Sequence, residues 1–417
     1  MRLPDNGTDN SSSIFPTLSH LGHALYKNNE LKLAAESYLE SFNIQASIVT
    51  GETIQDLDGF SKRISSIEDE ILSLEQSGED TSELSSALGG IANTLRYIAL
   101  VNQAQGDSEK ALNVNKLSLS VRLLQPFKEY SSIALMAETI AMFEFKLNNC
   151  ARALDYFNQA LTAKKAYQGD VTIDVARTVN NLANIHFSLG NLDEAMELYH
   201  EALEIKKSCL GEDSDDVVNT LKNIAQVMFK AGKEQEALQA YHNIVKIRQE
   251  RYGKNHISVA DTLASMGDVY IKLGELDVAK TYFEQSIKIQ KTQEDGTFDE
   301  RVLENLGSIY GKLGQWQKAE SAFMELVQIK RTDHGSDFLG VARTLDLLAV
   351  SYIEQERSYE SIEHLKEALR IRKVCLDADD DEVLASLNKL AFVYKSLDMT
   401  DEMQQMKAEF DAIQHGS

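Results

Sequence analysis

The chain has 417 residues, 65 of them acidic and 42 basic, for a formal net charge of −23. A single core stops growing at about 250–300 residues, so this length demands either several domains or a stacked repeat with no central core. So strong a negative charge repels phosphate backbones and anionic headgroups, which excludes nucleic acid and membrane surfaces as partners.

Residues 1–12 are polar, lack the apolar run of a signal peptide, and are expected to form a flexible tail. The glycosylation sequons at Asn6 and Asn10 read as chance matches in it. A first repeat follows at 13–49, with Leu21, Gly22, Leu25, Asn29, Ala34 and Tyr38 at helical spacings. His20 and His23 share a helix face there, but a third metal ligand is missing, so no metal is expected.

An insert occupies 50–83. Its Leu57, Phe60, Ile64, Ile67, Ile71 and Leu74 step by three and four, which predicts one amphipathic helix, and a polar loop ends it at 76–82.

From 84 to 410 the sequence repeats itself eight times. Gly106, Asn148, Gly190, Gly232, Gly274, Gly314, Glu356 and Asp398 recur at steps of 42, with one step of 40 between Gly274 and Gly314. Seven residues before each stands a small residue, such as Ala183, Ala225, Gly267 or Gly307. Nine after, an aromatic dominates: Phe157, Tyr199, Tyr241, Phe283 and Phe323. Each unit reads as two amphipathic helices joined at the glycine column, where a left-handed residue ends the first helix. The small residues let the second helix approach, and the aromatic fills the space beside them. Such a pair cannot bury both faces alone, so neighbouring pairs must stack. Residues 411–417 are expected to be a C-terminal tail.

These offsets resemble those of tetratricopeptide repeats, and the long period resembles the kinesin-light-chain version. Tyr252-Gly253-Lys254-Asn255-His256-Ile257-Ser258-Val259-Ala260 is similar to that version's inter-repeat motif, with Ile257 where the family has proline. Val175 to Ala183 and Leu203 to Gly211 are similar to two further segments of it. The resemblance implies an all-α fold, a right-handed superhelical solenoid of helix pairs whose first helices line a concave groove. Kinesin light chains carry a long heptad region before their repeats. Here only the insert is heptad-like, so kinesin heavy chain is not the favoured partner.

The resemblance also implies a peptide-binding groove at fixed offsets before the glycine column. The residues there are Arg177, Asn180, Asn181 and Asn184, then Asn219, Lys222, Asn223, Gln226 and Lys230. Asp268 and Lys272 follow, then Arg301, Asn305, Ser308 and Lys312. Asn181, Asn223 and Asn305 occupy the slot that grips a peptide backbone, and an amide has both a donor and an acceptor for it. Over the groove positions of the four central repeats, six basic residues face three acidic ones, Asp261, Asp268 and Glu304. The expected partner is therefore an acidic, extended segment of another protein, its carboxylates taken by Lys222 and Arg301. Further along, Leu347, Val350 and Phe392 replace polar groove residues, which leaves open an apolar subsite or a self-covered surface.

No enzyme chemistry is expected. Gly307 to Lys312 is one residue short of a phosphate loop and lies inside a helix pattern. The acidic runs at 212–216 and 377–382 lack the glycine and terminal glutamate of a calcium loop. No cofactor is implied. Cys150, Cys209 and Cys375 are scattered and odd in number, which fits a reduced compartment, the cytoplasm. No run approaches the roughly 18 apolar residues of a membrane span. The function that fits best is a scaffold or adaptor. The alternatives are a kinesin-light-chain-like cargo adaptor of a microtubule motor and the sensor portion of a larger signalling enzyme.

Overall fold

The computed structural model describes residues 11–126, 128–293, 299–336 and 338–415, and among them it holds twenty helices and no strand. The expected tail at 1–12 lies outside the described residues as far as residue 10, and helix α1 (Ser11–Lys27) has begun by Ser11.

The chain divides into two compact units, Met1–Val227 and Met228–Ser417. In the first, α1 packs on α2 (Leu31–Thr50). The insert then forms α3 (Leu57–Ser61) and α4 (Ile64–Ser77). Helix α2 continues its packing onto α5 (Ser82–Ala104), and each following helix packs on the one before it: α6 (Ser108–Leu124), α7 (Tyr130–Lys146), α8 (Cys150–Gln168), α9 (Ile173–Leu189) and α10 (Leu192–Leu210). The division falls inside α11 (Asp215–Lys230). In the second unit the same nearest-neighbour stacking runs through α12 (Glu234–Tyr252), α13 (Ile257–Lys272), α14 (Leu276–Gln290), α15 (Glu300–Lys312), α16 (Trp316–His334), α17 (Leu339–Ile353), α18 (Ser358–Cys375), α19 (Asp381–Ser396) and α20 (Thr400–His415).

The turn column works as its residue types require. Asn29, Gly106, Asn148, Gly190, Gly232, Gly274, Gly314, Glu356 and Asp398 all take the left-handed conformation, with φ between 57° and 86°. That conformation closes the first helix of each pair and reverses the chain into the second. The small-residue column is a contact column. A Cβ on Gly267 would stand 2.8 Å from the Phe283 ring, and one on Gly307 would stand 2.7 Å from Phe323. The aromatic of the second helix thus lies directly on the backbone of the first.

The inter-repeat motif is equally local. Gly253, with φ 88°, ends α12. His256 then caps α13: the Ser258 backbone N–H donates to its Nδ1 at 3.2 Å, and its ring stacks on Tyr252 at 4.5 Å between centroids.

Three expectations at this level are corrected or sharpened. The insert is two helices, not one. Asp56 caps α3 by accepting from the Gly59 N–H at 2.6 Å, and the Arg63 N–H turns back onto Phe60 O at 2.9 Å, which closes α3 before α4 begins. Phe60, Ile67 and Ile71 still bury into one core with Phe42, Leu88 and Leu95. At the other end, residues 411–415 continue helix α20 where a tail was expected, because Met406, Phe410 and Ile413 pack on the Leu387–Tyr394 core. His23 serves packing. Its ring meets Tyr97 at 4.1 Å and its Nδ1 bonds Ser19 O.

Candidate functional site

All the groove candidates lie on first helices, and none is buried. Helix α9 carries Arg177, Asn180, Asn181 and Asn184, and α11 carries Asn219, Lys222, Asn223, Gln226 and Lys230. Helix α13 carries Asp268 and Lys272, and α15 carries Arg301, Asn305, Ser308 and Lys312.

Their side chains are engaged to very different degrees. The Tyr199 hydroxyl donates to Asn184 Oδ1 at 2.6 Å, within one helix pair. Asn305 donates to Asp268 Oδ1 at 3.0 Å, and Arg301 pairs with the same carboxylate. Burial pushes the Asp268 carboxyl up, against the pull of Arg301. Asn181 and Asn223 differ: both are half-buried, and neither amide makes a hydrogen bond among the described residues. They occupy equivalent positions of consecutive first helices, 42 residues apart.

Asn180 belongs to a feature that sequence reasoning missed. Sixteen residues after the left-handed turn, on the buried side of the second helix, a basic residue recurs. Lys206 Nζ donates to Thr220 Oγ1 at 2.7 Å and to Asn180 Oδ1 at 3.2 Å. Lys164 reaches Thr178 at 2.9 Å and Glu138 at 2.6 Å, and Lys330 reaches Thr344 at 3.1 Å and Glu304 at 3.3 Å. Arg248 Nη1 donates to Thr262 at 2.6 Å, while Arg372 donates to Ser386 and to Asp346, both at 2.9 Å. Each cation is buried, and each joins its own helix pair to the first helix of the next. Burial lowers the Lys206 pKa, with Asp216 opposing. At α14 the position is Gln290, and its counterpart on α15 is Val302 in place of threonine. Ten residues before the turn, Glu138, Asn180, Glu304 and Asp346 accept from this spoke, so the Oδ1 of Asn180 is already engaged.

Three of the six basic groove candidates are paired with carboxylates of the chain. Arg177 pairs with Asp174 and Asp216, Lys272 with Glu234, and Arg301 with Asp299 as well as Asp268. Two of the face's acids are answered in turn, Asp261 by Arg248 and Glu304 by Lys330. Arg301 is already held by carboxylates of the chain itself.

At the C-terminal end the apolar substitutions separate. Leu347 packs into the core around Leu348 and Val341, whereas Val350 and Phe392 stay 50% and 70% exposed.

A family model described as tetratricopeptide repeat matches residues 130–208, 174–242, 216–292 and 299–373. No curated protein matches the chain. Among solved structures, the apo form of the quorum sensor NprR from B. thuringiensis is 18% identical at a TM-score of 0.52, covering 85% of this chain and 99% of its own. BtubC (BKLC) from P. vanneervenii is 19% identical at 0.43, covering 57% and 93%. A putative kinesin light chain with TPR-like repeats from Podosopora anserina is 20% identical at 0.41, covering 48% and 95%. At such identities the NprR likeness speaks for the fold alone.

Proposed function

The chain belongs to the tetratricopeptide repeat family, and from that premise we propose that it is a protein-interaction scaffold whose first helices hold an extended segment of another protein. The observation that carries this reading is the pair Asn181 and Asn223. Two half-buried amides at equivalent positions, with no partner among the described residues, match the donor and acceptor of an extended backbone. Ser308 and Lys312 on α15 likewise make no hydrogen bond or ion pair among the described residues. Arg177, Lys272 and Arg301 of this face are paired with the chain's own carboxylates. The segment is recognised first through its backbone, by the amides that make no other bond.

Tagged full-length chain used as bait, with mass spectrometry, identifies the partner. Titration calorimetry of that partner's segment with wild type and with Asn181→Ala/Asn223→Ala then tests the reading. Each lost amide bond is worth about 0.5–1.5 kcal/mol, so the double variant binds several-fold more weakly while its unfolding midpoint stays put. Equal affinities for the two proteins would overturn the groove.

A cargo adaptor of the kinesin-light-chain kind is the second reading, favoured by the 252–260 motif, whose Tyr252, Gly253 and His256 build the joint between α12 and α13. Co-purification of a kinesin heavy chain would establish it. In either reading the protein works in the cytoplasm as an adaptor rather than as a catalyst.

A further inference from the structure

Each first helix from α5 onward meets the pair before it through one stripe, at twelve, eight and five residues before its left-handed turn. In all of them the residues twelve and eight before the turn are buried, from Thr94 and Ile98 on α5 to Ser386 and Leu390 on α19. On α9 the stripe is Thr178, Leu182 and Ile185, and α8 lies on it. Leu182 and Ile185 share a core with Ala153 and Phe157, and Lys164 Nζ donates to Thr178 Oγ1 at 2.9 Å. The answering face is thus a small residue, an aromatic four later and a cation eleven later on one helix. It recurs as Ala195, Tyr199 and Lys206 on α10 and as Ala319, Phe323 and Lys330 on α16.

Helix α1 carries the same stripe before Asn29, as Thr17, Leu21 and Ala24. There all three are exposed, Leu21 to 49%. One exposed leucine is ordinary on a protein surface. This one stands in a column that is buried in every later repeat, beside two neighbours whose columns are also packing columns. The stripe is separate from the groove candidates, which stand ten, nine or six residues before the turn on other helices.

Continuity with the stacking interface defines what fits. A helix seated as α8 is seated on α9 places a small residue and an aromatic against Leu21 and Ala24, and a Lys or Arg at the Thr17 hydroxyl. The far end of a second copy does not supply that face. Helix α20 has Met403, Lys407 and Gln414 at the three offsets, so an ammonium falls where the aromatic belongs.

We infer that the outer face of α1 is a docking surface for a helix of a partner protein, one with a small residue, an aromatic four later and Lys or Arg eleven later. The inference goes beyond the groove reading and uses none of its residues.

The test uses methyl-labelled full-length protein and a synthetic peptide of the α8 sequence, cross-linked on its outer side because a helix of this length is marginal alone. The peptide shifts the Leu21 and Ala24 methyl resonances in a saturable way. Phe157→Ser or Lys164→Glu in the peptide weakens binding several-fold, and a cross-linked α20 peptide leaves these methyls unmoved. Leu21→Gln in the protein alters an exposed position, so the unfolding midpoint holds while the Ala24 shift is lost. Absence of shifts at Leu21 and Ala24 with the α8 peptide, or equal binding of the α20 peptide, would overturn the surface. In sedimentation the full chain stays monomeric as concentration rises; self-association abolished by Leu21→Gln would overturn the partner helix in favour of a second copy. Loss of partner capture in Asn181→Ala/Asn223→Ala bears on the groove alone.

Discussion

Lys206 is buried between two helix pairs, and every hydrogen-bond donor it offers meets an oxygen: Thr220, Asn180 and the Asp216 carbonyl. A buried charge is tolerated only when it is so answered. Thr220→Val removes one acceptor from a buried cation and costs about 1–3 kcal/mol, read from chemical denaturation. Lys206→Met, which removes the charge together with its demand, lies within about 1 kcal/mol of wild type, because a buried ionic contact replaced by an apolar one of similar volume is often neutral. A larger loss for Lys206→Met than for Thr220→Val would contradict the assignment of this column. Glu356 gives a prediction of the opposite sign. It holds a left-handed conformation at φ 60° with an ordinary side chain. Glu356→Gly relieves strain of about 1–2 kcal/mol, offset by glycine's greater flexibility, for a net gain of roughly 0.5–1 kcal/mol in thermal unfolding. The turn column was legible because a left-handed site restricts residue type strongly. The buried cations were not, because a lone Lys or Arg on an amphipathic helix looks like solvated charge. The signal was nonetheless present, in the recurrence of Arg122, Lys164, Lys206, Arg248, Lys330 and Arg372 at one offset.

Helix contacts within a pair are set by the distance between the small column and the aromatic. At Gly267 even one methyl group would stand 2.8 Å from the Phe283 ring. Gly267→Ala therefore costs about 1–3 kcal/mol, and Phe283→Leu in the same chain recovers part of it. Amide exchange should rise first in α13 and α14; uniform loss along the chain would contradict nearest-neighbour stacking. Helix α19 carries a pH dependence. Hydrogen bonds from Arg343 and then Arg372 hold the Glu382 carboxyl below its usual value. A depressed carboxylate contributes stability above its unfolded pKa and loses it as pH falls through the folded one. Exchange in the first turns of α19 should thus quicken as pH drops below the ordinary glutamate range, and Glu382→Gln should remove that response. The division of the insert into α3 and α4 escaped the sequence because its apolar steps run unbroken from Leu57 to Leu74. The cap at Asp56 begins α3 and the turn onto Phe60 ends it, and both are short-range bonds that a periodicity does not encode.

For the molecule as a whole, the 42-residue period carried the all-α fold, since within the repeats helix packing is mainly between neighbours in sequence. The candidate face was legible to the same extent: offset fixes which helix and which side. What each side chain does there was not legible. Asn180 and Asn181 are adjacent in sequence, yet the first answers Lys206 while the second makes no such bond among the described residues. Charge counting along one face left out part of the field for the same reason, because the carboxylates beside Arg177 and Arg301, such as Asp216 and Asp299, stand at other offsets. The central claim is that a partner lies on the first helices. Hydrogen exchange of the full chain with and without its captured partner tests it most directly. The account predicts new protection on the first helices, at α9 and α11 around Asn181 and Asn223, with the second helices α10 and α12 unchanged; protection confined to second helices or to the 50–83 insert would contradict it.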